Sequence, residues 1–168
     1  MGIVDTITTL AQLPTLLKLK KGMQLRPLEE KDCLGAQVER NAQLYGQSRA
    51  ITFEDRTVNW SEFNSLSNQF AHSLKSQGLR AGDTASVFME NRIEFLAMVI
   101  ALNKLGVTAA LINTNLSGKP LTHCISVTKS KKCIVGEERS EPLSAVKDEL
   151  DLKAVSYTHL TLPTKRIV

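Results

Sequence analysis

The chain has 168 residues, 42% of them hydrophobic and 23% charged, with a formal net charge of +4. That length suits one ordinary domain or part of a larger one, and the composition excludes disordered and fibrous classes. The small positive excess is spread along the chain without interleaved aromatic residues, which is no footprint for nucleic acid.

Cys33, Cys124 and Cys133 are odd in number and widely spaced. They suit neither a disulfide framework nor a C-x-x-C metal clamp, and read as reduced thiols of a cytoplasmic protein. The longest apolar run, residues 95–102, has eight residues, against the roughly twenty that span a bilayer. No secretory signal is expected, because the first lysines follow the first apolar segment instead of preceding it.

Residues 3–21 open the chain as an amphipathic stripe. Ile3, Ile7, Leu10 and Leu17 recur at helical spacing, with Asp5, Thr8, Gln12 and Thr15 opposite. Pro14 predicts a kink or two short helices. Lys18, Lys20, Lys21 and Arg26 gather at the C-terminal end, where cations suit the helix dipole and also an anionic membrane surface. Ile3, Ile7, Leu10, Leu17, Lys18, Lys20 and Lys21 are therefore candidate membrane-contact residues for peripheral docking on the inner face. The same stripe would serve equally to pack on another part of the protein.

A second helix is expected over 29–47, with Val38, Ala42 and Tyr45 on one face and Gly46 ending it. A hairpin follows: strand 50–53, turn 54–56, return strand 57–59. Asn59 then caps a helix over 60–77, with Glu62 at capping-box spacing, an apolar face of Phe63, Leu66, Phe70 and Leu74, and Gly78 as the stop. Beyond it the pattern alternates: strand 84–89, helix 92–105, strand 107–112, helix 116–128, strand 132–135. Near-continuous apolar strands alternating with helices predict an α/β fold with a parallel sheet and flanking helices. Residues 137–151 are polar with a weak helical pattern.

Residues 155–164 read Val-Ser-Tyr-Thr-His-Leu-Thr-Leu-Pro-Thr. They resemble the in-frame translation of a transposon-end sequencing adapter, which would make 155–168 foreign to the natural protein. Without that tail the chain holds 19 basic and 17 acidic residues. The expected organisation is an amphipathic basic helix over 1–22, an incomplete domain over 23–154 and the tail over 155–168.

Few residues suit catalysis. No phosphate-binding glycine loop, dinucleotide fingerprint or nucleophile elbow is present. His72 falls beside the apolar stripe of its helix. His123 and Cys124 are helix neighbours whose side chains diverge by about 100°. Glu29-Glu30 and Glu137-Glu138 read as solvated pairs, and Lys129, Lys131 and Lys132 as a solvated turn. Asn113-Thr114-Asn115 follows a buried strand, where α/β ligands bind, but Asn also makes good turns.

Three stretches resemble the acyl-adenylate-forming superfamily. They are Val58-Asn59-Trp60-Ser61-Glu62-Phe63, then Gly82-Asp83-Thr84 through Asn91-Arg92-Ile93-Glu94-Phe95, then Leu105-Gly106-Val107 through Asn113-Thr114-Asn115-Leu116. Ala110 to Leu116, with Leu121-Thr122-His123-Cys124, is most similar to the fatty-acid-transport-type long-chain and very-long-chain acyl-CoA synthetases. Asn59 and Trp60 stand where the superfamily has Thr and Tyr. The resemblance covers residues 1 to about 150. It implies a fold that begins the large adenylating domain, and partners that are fatty acid, ATP and CoA with Mg²⁺. It also implies that the phosphate loop, the Mg²⁺-binding acid, the ribose-binding Asp and the catalytic Lys lie beyond residue 154. No catalytic, cofactor-binding or metal-binding residue is therefore assigned, and this chain alone is expected to be inactive. An adenylating ligase for an aryl acid or carnitine, and a non-catalytic membrane-binding module, are the competing readings.

Overall fold

The computed structural model describes residues 32–150 and the strand Val155–Thr158, together with helical positions 14, 15, 17 and 20. Residues fall into two units, Met1–Lys31 and Asp32–Val168. Most of the first unit, including Ile3, Ile7, Leu10, Lys18 and Lys21, lies outside the described residues. Leu17 and Lys20 are described, and both are helical and exposed.

In the second unit α1 spans Leu34–Tyr45 and starts later than its pattern predicts. Cys33 caps it, the sulfur accepting the Ala36 N–H at 3.4 Å. Val38 is buried, but Tyr45 is 56% exposed, so the expected apolar face reaches only half the helix. Strands β1 (Arg49–Phe53) and β2 (Arg56–Asn59) pair antiparallel. The return strand begins at Arg56 because the turn needs only Glu54, at φ 50°, and Asp55.

Helix α2 (Trp60–Ser76) has the expected capping box, with Asn59 and Glu62 exchanging hydrogen bonds of 2.8 Å. Phe63, Leu66, Phe70 and Leu74 are all buried. Gly78 follows at φ 94°, a left-handed stop that costs a side-chain-bearing residue strain.

Strands β3 (Thr84–Phe88), β4 (Thr108–Leu111) and β5 (Lys132–Gly136) are parallel. Helices α3 (Ile93–Lys104) and α4 (Gly118–Val127) connect them. The short α5 (Ser140–Ser144) and strand β6 (Val155–Thr158) complete the order β4-β3-β5-β6. The sheet thus has a fourth strand that the apolar pattern of 1–154 does not predict. Val-Ser-Tyr-Thr is β-branched and aromatic, a composition that takes a parallel edge beside β5 readily.

Alternation along the strands separates two cores. Ala85, Val87, Met89 and Ile134 face one way, against Phe63, Phe70, Ile93, Ala97, Met98 and Leu102 of α2 and α3. Phe88, Cys133 and Val135 face the other, against Leu121 and Ile125 of α4 and Leu143 of α5. Ser86 also faces this second side, fully buried. It is matched by Ser130 at 2.7 Å and Thr128 at 3.1 Å, so its hydroxyl is not stranded.

The thiols sort by burial: Cys33 exposed, Cys124 half-buried, Cys133 buried. Burial pushes the Cys133 thiol up to about 12. At pH 8 a maleimide is expected to label Cys33 first and Cys124 next. Cys133 should react only at the rate of global opening, which a urea series on a Cys33→Ser, Cys124→Ser variant measures. Fast labelling of Cys133 in the native state would contradict this packing.

Candidate functional site at the carboxyl ends of the strands

After β3 the chain turns into α3 on one face, whereas after β4 and β5 it turns to the other face. Such a reversal opens a crevice at the carboxyl ends of the strands, where α/β folds place ligands. Here that edge is formed by residues 89–92, 112–115 and 136–139.

A chain of alternating charges crosses it. Arg56 on β2 donates to Glu94 at 2.8 Å, and Glu94 lies 3.9 Å from Arg92 Nε. Arg92 reaches Glu138 at 3.1 Å. Glu138 also accepts the Glu90 backbone N–H at 2.9 Å, and the Glu90 carboxylate pairs with Arg139. Thr114 donates to Glu90 at 3.4 Å, bringing in the loop after β4. Three arginines thus meet three glutamates, and the cluster carries no net charge. Its chemical capacity is to hold the hairpin and three strand-end loops in register. Glu94, with a side chain 6% exposed, needs both arginines to be tolerated.

Gly136 belongs to this arrangement. A Cβ there would sit 2.1 Å from Glu138 Oε1. Gly136→Ala is expected to push Glu138 out of its contacts with Arg92 and the Glu90 N–H, costing about 1–3 kcal/mol. Urea denaturation checks this, and Glu138→Gln in the Gly136→Ala background should add little further loss.

Several sequence readings change here. Glu138 is no solvated acid, because the fold over Gly136 brings it to Arg92. Lys131 is no free turn lysine either, since it donates to Gly78 O at 3.0 Å and to Asp83 at 2.8 Å. That Lys131 hydrogen bond, then the Arg80 N–H, holds the Asp83 carboxyl below the ordinary 3.8. Its contribution to stability is present above pH 3.8 and lost as pH falls through the lowered value. An Asp83→Asn variant should show a shallower acid limb in thermal melts, with no change near neutrality beyond the constant loss of the contact.

Asn113 makes turn chemistry, its side-chain oxygen accepting the Asn115 N–H at 2.9 Å. His123 is exposed, Cys124 half-buried, and His72 exposed beside Glu39, Gln43, Asn64 and Asn68 in a polar groove of α1 and α2. None of the three joins the strand-end cluster, and Glu29-Glu30 lies outside the described residues. Sequence reasoning missed Glu90, Glu94 and Arg139. The available signal was Glu94, one acid directly before the apolar run of residues 95–102. Among the described residues, no group of three or more His, Cys, Asp or Glu side chains could hold a metal ion. No helix among them is long and apolar enough to cross a membrane.

Residues 38–166 match the family of AMP-binding enzymes. The chain belongs to that family. This AMP-binding chain is 34% identical to mouse long-chain fatty acid transport protein 1 over 98 residues, covering 58% of the chain and 15% of the relative. It is 41% identical to 2-succinylbenzoate–CoA ligase of Bacillus subtilis over 76 residues, covering 45% of the chain and 16% of that protein. Its fold matches the crystal structure of the N-terminal domain of FACL13 from Mycobacterium tuberculosis with a TM-score of 0.71. The identity there is 23%, covering 76% of this chain and 34% of that one. The expected parallel α/β architecture of an acyl-CoA ligase N-terminal domain is thereby borne out.

Proposed function

We propose that this chain is the N-terminal part of an ATP-dependent acyl-CoA synthetase that activates long-chain fatty acids. The observation that carries the reading is the 98-residue likeness to long-chain fatty acid transport protein 1, in the family of AMP-binding enzymes. In the intact enzyme a fatty acid carboxylate attacks ATP, forming an acyl-adenylate and releasing pyrophosphate. The CoA thiolate then displaces AMP.

The residues described here do not fit the groups this chemistry needs. The three strand-end arginines are matched by three glutamates, which leaves no uncompensated positive charge for a triphosphate. Among the described residues no group of three or more His, Cys, Asp or Glu side chains could hold Mg²⁺. ATP, Mg²⁺ and CoA are therefore referred to the intact enzyme, and this chain alone should form no AMP when given palmitate, ATP, Mg²⁺ and CoA. The intact enzyme from the same locus should form it. Palmitate-dependent AMP from the 168-residue chain, or none from the intact enzyme, would overturn the reading.

The 41% identity to 2-succinylbenzoate–CoA ligase favours a second reading, an aryl acid as substrate. A panel of palmitate, benzoate and 2-succinylbenzoate separates the two. Residues 155–168 are read as an adapter translation, and a long sequencing read across the Ala154 codon decides it. A natural stop after Val168 would sink that reading. Cytoplasmic placement with peripheral docking through Ile3, Ile7, Leu10, Leu17, Lys18, Lys20 and Lys21 completes the proposal. Deleting residues 1–22 should abolish pelleting with phosphatidylserine vesicles, and unchanged pelleting would refute it.

A further inference from the structure

Helices α1 and α2 leave a polar groove between them, walled by Asn64, Asn68, Gln69 and His72 from α2 and by Glu39 and Gln43 from α1. Its volume is about 530 Å³, within the size range of ligand sites. Ala42 is the one apolar residue of its walls among the described residues, so the groove suits neither an acyl chain nor the apolar face of a helix. Lys104 of α3, with a side chain 9% exposed, fixes two of these side chains. An ammonium has three donors, and here they go to Glu39, Asn64 and Asn68. Both carboxamides are thereby held with the oxygen toward Lys104, and their Nδ2 groups have no acceptor among the described residues. Glu39 gives Oε1 to Lys104 and is 52% exposed, which leaves Oε2 for a second cation.

Asn64 and Asn68 stand one helical turn apart, about 6 Å along the axis. In an extended peptide, carbonyls on one side recur every two residues, at about 6.6 Å. Two fixed carboxamides at that spacing can each donate an Nδ2 proton to a peptide carbonyl and accept a peptide N–H on the spare lone pair of Oδ1. We propose that this groove binds an extended peptide segment of a partner protein, read along its backbone by Asn64 and Asn68 and through one lysine or arginine by Glu39. A helical occupant does not fit this chemistry, because its backbone groups are already used within the helix. An acidic one does not fit either, since the groove walls hold Glu39 and no lysine or arginine to receive it.

The inference goes beyond the ligase reading and does not rest on it, because the groove shares no residue with the strand-end cluster. The side-chain amide signals of Asn64 and Asn68 are followed by NMR in the 168-residue chain. The probe is a set of capped threonine heptapeptides carrying one lysine, moved through each position in turn. At least one should shift both signals with a Kd of about 0.1–1 mM, and its glutamate counterpart should bind at least about 10-fold more weakly. No shift from any of the set up to about 5 mM overturns the proposal. Asn64→Asp with Asn68→Asp keeps an oxygen on Lys104 at both positions and deletes the two Nδ2 donors. That variant should keep the cooperative melt of the parent and lose peptide affinity at least about 10-fold. Undiminished affinity would show that the carboxamides do not read the backbone, and the proposal fails. Glu39→Gln should weaken the lysine peptides and leave a threonine-only peptide unchanged. Equal shifts from maltose at the same concentration would overturn the peptide assignment in favour of a general polar pocket. The intact enzyme should respond as the 168-residue chain does. Asparagine signals already displaced and unresponsive there would mean that the enzyme's own chain fills the groove, which overturns the partner. An intact enzyme that binds the peptides but forms no acyl-CoA would sink the functional reading and leave this one standing.

Discussion

Lys104→Met is expected to destabilise the Asp32–Val168 unit by about 2–3 kcal/mol. The Lys104 side chain is 9% exposed. Its ammonium lies 2.6 Å from Asn64 Oδ1, 2.7 Å from Asn68 Oδ1 and 2.9 Å from Glu39. One residue of α3 thereby ties down α2, through the two asparagines, and α1, through Glu39. Removing it leaves two amide oxygens facing an apolar methionine. Glu39 is half exposed and re-solvates, which keeps the loss below that of a fully buried pair. Urea denaturation of the variant should show a lower midpoint at unchanged slope. Replacing Asn64 and Asn68 with leucine in the same chain should return part of the loss, because the stranded acceptors go with them. A midpoint within error of the parent would mean that the three oxygens do not depend on the ammonium.

Phe88→Ala should cost more, about 3–5 kcal/mol. Phe88 is fully buried in the smaller core, with Ile112, Leu121, Ile125, Val135 and Leu143. That core has few large members, so little can move in to fill the space. Against a total stability of about 5–15 kcal/mol for a domain of this size, such a loss approaches global unfolding. The expected result is a broadened or absent thermal transition, with near-UV circular dichroism reduced more than far-UV. Phe88→Leu, which keeps most of the volume, should cost less than about 1.5 kcal/mol and keep a cooperative transition. Equal losses from the two variants would point to a specific aromatic contact instead of volume. No change from either would mean that the α4 face is not a packed core.

The element order was legible because local signals agreed with one another. In Asn59 to Leu74 the cap, the capping-box acid and the apolar face all specify one helix. In β3 and β5 continuous apolar runs specify strands buried on both faces. Agreement was poorer where few contacts back the pattern. Tyr45 keeps the spacing of an apolar face, yet it is 56% exposed among the described residues.

The strand-end cluster was not legible. Its members, Arg56, Glu90, Arg92, Glu94, Glu138 and Arg139, come from the hairpin, the end of β3, the start of α3 and the turn after β5. Charges so far apart in sequence carry no periodic mark, and most pairs of this kind in a sequence are simply solvated. By itself the sequence determined the kind and order of the elements, because helix caps and apolar periodicity act over a few residues. The tertiary structure alone decided the strand order, the division into two cores and the partners of Glu94, Glu138 and Lys104. Those depend on which face each crossover takes, and no local pattern encodes that.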